Sequence, residues 1–221
     1  SVVSQVSFPL FSKIQQDKVS LRFYLRQAVT QVTFITFPLM IGLIVVANPL
    51  IEIVLTEKWL PSVPYLQLFC LIGALYPIQA INLNALNALG RSDLFLKVDF
   101  INKAIIIFTI LVSYKFGIIT MIIGQIINSV TAFYLYSFYI GKLLNYSFLS
   151  QIRDILPIFL ISVTMGALTF LCKFLNIENQ LLLLIVQISS GVTIYVLLCY
   201  LMKLKSLMII LNMIRTKTKF L

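Results

Sequence analysis

Ionisable side chains enter a long apolar stretch at one place, from Leu89 to Lys103, LGRSDLFLKVDFINK. Asp93 with Lys97, and Asp99 with Lys103, are acid-before-base pairs four residues apart. On a helix that spacing and order bring the two charges together favourably. At about 100° per residue, Asp99, Asn102 and Lys103 share one face and Lys97 points elsewhere. An ammonium or guanidinium group here is a charge-assisted donor for an anion. A carboxylate at membrane depth is a functional candidate by default, because an unused one would be selected against by its cost. The spacing leaves two readings of Asp99 and Lys103 open: a pair that only neutralises itself, or a site. Asp93 with Lys97 reads as structural or interfacial.

The elements around this stretch follow from the punctuation. Gly90 can end one helix, since it takes the left-handed conformation without a Cβ penalty, and Ser92 can cap the next. A tight helical hairpin is expected. Composition sets its surroundings: 60% of residues are hydrophobic, 11% are charged, and the mean hydropathy is +1.02. A soluble domain has about half apolar and about a quarter charged residues, so this is an integral membrane protein. Several windows exceed the roughly 18 apolar residues of a bilayer-crossing helix, and the alternation of a barrel strand is missing. The N-terminus has neither a basic leader nor a small-residue cleavage site, so insertion is expected through the transmembrane helices themselves. Cys70, Cys172 and Cys199 each lie in an apolar stretch and read as small buried hydrophobes. With no histidine and no cluster of acids or cysteines, a transition-metal site is not expected.

In chain order, residues 1–27 read as the end of an earlier helix followed by a basic amphipathic segment, KIQQDKVSLRFYLR, suited to the headgroup layer. A first span is expected at about 28–47, with Pro38 bending it. Asn48 and Pro49 then start a short piece, PLIEIVLTEKWLP, read as a helix on the far membrane surface with Trp59 as its anchor. The second span covers about 64–89, interrupted at Pro77, and carries Gln79, Asn82, Asn84 and Asn87. Amides in hydrocarbon are costly without partners, so this stripe should look inward. The third span is the charged helix, about 93–112. The fourth, about 118–140, places Gln125, Asn128, Ser129 and Tyr136 on one face. Ser150 is the expected cap of the fifth span, about 155–171, in which Ser162 and Gly166 have a spacing that permits close helix approach. A sixth runs from about 181 to 201. The fold class is thus an all-α membrane protein with six transmembrane helices: four in residues 28–140, two more in 141–205, and a basic amphipathic tail in 206–221.

Charge gives the orientation. With Lys103 left inside the membrane, only Lys58, Lys115 and Lys173 of the 17 basic residues fall on one side. The positive-inside rule makes the other side cytoplasmic, with both ends of the chain there. The tail should rest on anionic membrane lipids. Nucleic acid is not an expected partner, because apolar residues interleave with the basic ones.

Three stretches, FPLFSKIQQD, EKWLPSVPYLQ and LNALGRSDLFLK, occur in this order at these separations. Together they resemble the C-terminal half of polysaccharide exporters of the oligosaccharidyl-lipid flippase family, which includes O-antigen and lipopolysaccharide flippases. The superfamily also holds multidrug and toxic-compound extrusion (MATE-like) transporters. The resemblance implies the C-terminal lobe of a two-lobe transporter, whose N-terminal lobe lies outside this chain. It implies a bacterial inner-membrane protein, not an enzyme, that flips a lipid-linked oligosaccharide by alternating access. On that reading Lys103, Arg91 and Lys97 would hold phosphate. Asn82, Asn87, Asn102, Gln125 and Asn128 would meet sugar hydroxyls, and Asp99 would take a coupling proton or sodium ion, no other cofactor being implied. Alternatives remain at this stage: a drug or metabolite exporter of the same superfamily, a membrane polysaccharide polymerase or ligase, or a non-catalytic membrane subunit. A polymerase or ligase would need acids, bases or arginines on a sizeable outer loop, and the outer loops expected here are short.

Overall fold

A computed structural model describes residues 2–175 and 179–204. Its regular structure is helical: α1 (Val2–Lys13), α2 (Lys18–Leu55), α3 (Val63–Ala88), α4 (Ser92–Ser113), α5 (Ile118–Leu144), α6 (Phe148–Leu171) and α7 (Gln180–Leu201). Three 3-10 segments, Glu57–Ser62, Tyr114–Phe116 and Cys172–Leu175, follow α2, α4 and α6. The tail expected at 206–221 lies outside the described residues.

Each helix sits where apolar length requires it, but several expected boundaries change. Among the described residues five stretches are long and apolar enough to cross a membrane: Lys18–Leu55, Glu57–Ala88, Ile118–Leu144, Phe148–Phe174 and Gln180–Leu201. The expected count of six is corrected to five by that measure. Helix α4 forms at the expected place, yet Lys97, Asp99 and Lys103 make it too charged to qualify on composition. The separate surface helix at 49–61 does not form. Instead α2 continues through Pro38 and Pro49 to Leu55, and a 3-10 turn carries Trp59. Proline is tolerated there because packing against neighbouring helices and local backbone adjustment in a membrane helix offset the hydrogen bonds lost at Pro38 and Pro49. Helix α3 likewise runs unbroken past Pro77. At 38 residues α2 is about 57 Å long, well beyond the ~30 Å hydrocarbon layer, so its ends reach past the headgroups.

The caps are also redistributed. Gly90 has φ +70° and closes the α3–α4 turn as expected, but the helix-capping position of α4 is Arg91, with no side-chain cap bond, so Ser92 is the first helical residue and not the cap. Asp17, unremarked in the sequence, caps α2: its Oδ1 accepts from the Val19 and Ser20 amides at 3.0 and 3.2 Å, and its Oδ2 from the Ser20 hydroxyl at 2.6 Å. These bonds, that of the Ser20 hydroxyl foremost, hold its carboxyl below the usual 3.8. At α6 the cap is Ser147, whose Oγ accepts from the Ser150 amide at 3.4 Å, so the helix begins earlier than a cap at Ser150 would allow.

The chain divides into two compact units: Ser1–Thr36 with Pro64–Leu156, and Phe37–Val63 with Pro157–Leu221. In the first, α4 and α5 form an antiparallel hairpin joined by Tyr114–Phe116, and Leu21, Leu25, Ile78, Ile81, Leu86 and Ile140 are fully buried. In the second, Gly166 of α6 meets α2 so closely that a Cβ there would lie 2.6 Å from Ile41 Cγ2, the close approach that the Ser162 and Gly166 spacing implied. Phe37 and Phe159 pack edge to face at 5.8 Å. Cys70 and Cys199 are buried and all three cysteines are free thiols.

Candidate functional site

Asp99 and Lys103 pair as the spacing required, with Lys103 Nζ 2.8 Å from Asp99 Oδ2. Their location is the informative part. Lys103 stands eleven residues into α4, about 16 Å along the axis, which is about half the thickness of a ~30 Å hydrocarbon layer. Its side chain is nevertheless 69% exposed, and that of Asp99 34%. A lysine at the centre of a bilayer helix costs about 2.5–3.5 kcal/mol even by insertion measurements, so where α4 crosses a membrane this side favours water or polar protein over lipid tails. The ammonium group keeps donors to spare beyond the one that Asp99 accepts.

The outer pair forms differently from expectation. Asp93 bonds Arg91 and not Lys97: Arg91 Nε and Nη2 donate to Asp93 Oδ1 and Oδ2, both at 2.9 Å. The two-pronged guanidinium fits a carboxylate better than an ammonium does, and the turn at Gly90 brings it within reach. Lys97 is exposed and has no ion-pair partner among the described residues.

Behind the pair, α4 meets α5. Asn102 is buried at 9% exposure beside the Tyr136 side chain, with Asp99 near enough for its charge to be felt there. The approach is set by Gly124, where a Cβ would stand 2.1 Å from Thr109 Cγ2. The Oδ1 atoms of Asn102 and Asn128 are buried without a hydrogen-bond partner. Gln125 is half-buried, as is Asn87 at the end of α3.

The amides of α3 are engaged elsewhere. Gln79 donates to the Ser129 carbonyl at 3.0 Å and the Ser129 hydroxyl at 2.8 Å, so the polar stripes of α3 and α5 do meet. Asn82, fully buried, exchanges hydrogen bonds with Gln151 of α6 at 2.9 and 3.3 Å, and Ser137 donates to Gln151 Oε1 at 3.1 Å. Asn84 donates to Ser7 of α1 at 2.8 Å. Asn82 thus has both ends of its amide occupied inside the unit.

That knot continues into a charged one. Gln151 Nε2 donates to the Tyr146 carbonyl at 3.4 Å, the Tyr146 hydroxyl donates to Asp154 Oδ2 at 2.9 Å, and Asp154 Oδ1 takes Arg26 of α2. Burial foremost, and then the neighbouring Asp154 charge, push the Tyr146 hydroxyl far up from its usual range. Neither Gln151 nor Asp154 stood out in the sequence. A glutamine and an aspartate within the first two turns of an apolar helix were the only available signal. In the second unit, Gln187 and Thr169 are also buried, each with one unpaired oxygen.

Helices of this length and apolar surface define a multi-pass helical membrane protein. Residues 1–64 match the family model described as polysaccharide biosynthesis protein. Over 89% of its length the chain is 28% identical to an uncharacterized membrane protein in the cps region of Klebsiella pneumoniae, covering 41% of that protein. It is 32% identical over 60% of its length to the lipopolysaccharide biosynthesis protein WzxC of Escherichia coli, covering 28% of it. With the teichuronic acid biosynthesis protein TuaB of Bacillus subtilis the figures are 27%, 76% and 35%. The solved structure of a lipid II flippase, MurJ, in an inward closed conformation, matches 89% of the chain and 42% of its own, at a TM-score of 0.74 and 22% identity. The chain is thus similar over 60–89% of its length to these membrane and polysaccharide biosynthesis proteins, and it shares the fold of the solved flippase. It spans well under half the length of the relatives it matches.

Proposed function

We infer that the chain is the C-terminal part of a flippase that carries a lipid-linked oligosaccharide across the bacterial cytoplasmic membrane by alternating access. The reading is a transporter and not an enzyme. One observation carries it: Asp99 and Lys103 pair at 2.8 Å on an exposed side of α4, eleven residues into the helix. A phosphate-bearing lipid with a string of sugars cannot pass hydrocarbon unaided, and a polar wall with a cation at that depth is what the passage requires. The names of the relatives, which concern lipopolysaccharide and teichuronic acid biosynthesis and lipid II flipping, point the same way.

Within this reading Lys103 holds phosphate, with Arg91 and Lys97 nearer the membrane surface, and Asp99 takes a coupling proton or sodium ion. Asn102, Asn128, Gln125 and Asn87 meet sugar hydroxyls. Asn82 belongs to the same proposal by its position on α3, although releasing it would require the Gln151 contact to open. With α4 counted as a sixth crossing beside the five more apolar ones, both ends of the chain are cytoplasmic, and the N-terminal lobe of the same protein closes the passage.

The test uses the full-length protein in cells, reading exported surface polysaccharide and the amount of transporter in the membrane. Asp99→Asn and Lys103→Met should each abolish or sharply reduce export at unchanged membrane levels. Normal export by both single variants and by the double variant would reject the site.

A further inference from the structure

A second basic surface, separate from α4, stands at the start of α2. Leu21, Leu25 and Val29 are fully buried and form the core-facing ridge of this segment. Lys18, Arg22 and Arg26 repeat at the same four-residue interval, so they form a parallel ridge beside it. On the outer flank of that ridge Val19 is 80% exposed and Phe23 62% exposed. Arg26 is neutralised by Asp154. Lys18 and Arg22 have no carboxylate partner among the described residues, since the oxygens of Asp17 are taken up in capping α2.

The level of these groups along the helix is fixed by charge. Residues 27–51 carry no ionisable side chain, a length of about 38 Å that covers the hydrocarbon and part of both interfaces. Arg26 therefore marks the edge of the apolar layer, with Arg22 and Lys18 about one and two turns further out, at the depth of lipid phosphates. Two unpaired cations there, beside apolar side chains that can enter the acyl region, complement an anionic headgroup and its chains together. We propose that Lys18 and Arg22, flanked by Val19 and Phe23, form a binding site for an anionic phospholipid headgroup. The site is independent of the transport reading, because it uses no residue assigned to the passage.

The 221-residue chain in neutral detergent would be titrated with phosphatidylglycerol and with phosphatidylcholine, and bound lipid counted by native mass spectrometry. Phosphatidylglycerol should bind more tightly, and Lys18→Gln and Arg22→Gln should each weaken it about five-fold, the effect of one basic group at an anionic surface. Arg22→Lys should keep binding. Arg153→Gln removes the same charge from an exposed position turned away from the buried face of α6 and should change nothing. Equal weakening by Arg153→Gln would mean diffuse attraction to the net charge of +10 and would overturn the proposal. Equal affinity for phosphatidylcholine, or displacement of the lipid by millimolar inorganic phosphate, would overturn it as well. Should Arg22→Gln fail to fold, Lys18→Gln in the exposed first turn carries the same test.

Discussion

Gly124→Ala is the substitution whose effect the geometry predicts most directly. A methyl group at this position of α5 would lie 2.1 Å from Thr109 Cγ2 and 3.5 Å from Thr109 Cβ on α4. Thr109 is not free to turn away, because its hydroxyl donates to the Ile105 carbonyl at 2.7 Å and rotation about χ1 would break that bond. The helices must separate or the threonine must leave its rotamer, and overpacking of this kind costs about 1–3 kcal/mol. The small helix-propensity gain of alanine over glycine, about 1 kcal/mol at most, offsets only part of it. Reversible unfolding in mixed micelles, followed by circular dichroism, would measure the loss. The decisive comparison is Gly124→Ala with Thr109→Ser, which removes the offending methyl and keeps the hydroxyl. The double variant should recover most of the stability, giving a coupling on the order of 1–3 kcal/mol for two residues in contact. Additive losses would refute the contact as the reason for glycine at this position.

Three further outcomes are expected. Asn82→Ala and Gln151→Ala each strand a buried amide and should destabilise the chain by about 1–3 kcal/mol, whereas the double variant should cost clearly less than the sum; additivity in the same unfolding assay would refute the reciprocal pair. Asp17→Ala should lower the melting temperature at neutral pH. Because the carboxyl of Asp17 is held below 3.8 in the folded chain, its contribution is present above that value and disappears as pH falls through the lowered one, so the two melting curves should converge in acid. A cysteine placed at Ser62, in the turn after α2, should react with an impermeant thiol reagent added outside intact cells; labelling from the cytoplasm alone would reverse the proposed orientation.

Much of the helical architecture is legible in the sequence because it depends on local quantities. Apolar length locates α3, α5, α6 and α7, and Gly90 locates the α3–α4 turn. Two prolines misled for a physical reason: Pro49 and Pro77 break helices in water, but a membrane helix has few competing hydrogen-bond partners and carries on. The cap of α6 was misplaced because Ser147 and Ser150 are equally good candidates by residue type, and only the backbone path selects between them. Lys97 was paired with Asp93 on helical spacing, which takes no account of a residue before the helix; Arg91 reaches back through the turn with two donors where lysine offers one point charge.

The sequence by itself determined that this is a helical membrane protein, that charge enters one of its apolar helices, and that Asp99 joins Lys103. Each of these depends on composition or on neighbours within one helical turn. Only the tertiary structure decided which polar side chains meet and which stay open. Arg26 and Asp154 are 128 residues apart, Asn84 and Ser7 are 77 apart, and Asn82 and Gln151 are 69 apart. No local pattern encodes such pairings, because the partners are chosen by helix packing, and the packing is set by close approaches such as that of Gly124 to Thr109. An amide stripe on α3 looks the same in sequence whether it faces a passage or another helix. The hydrogen bonds decide for Asn82, which is tied to Gln151 of α6, whereas the Oδ1 atoms of Asn102 on α4 and Asn128 on α5 are left unpaired.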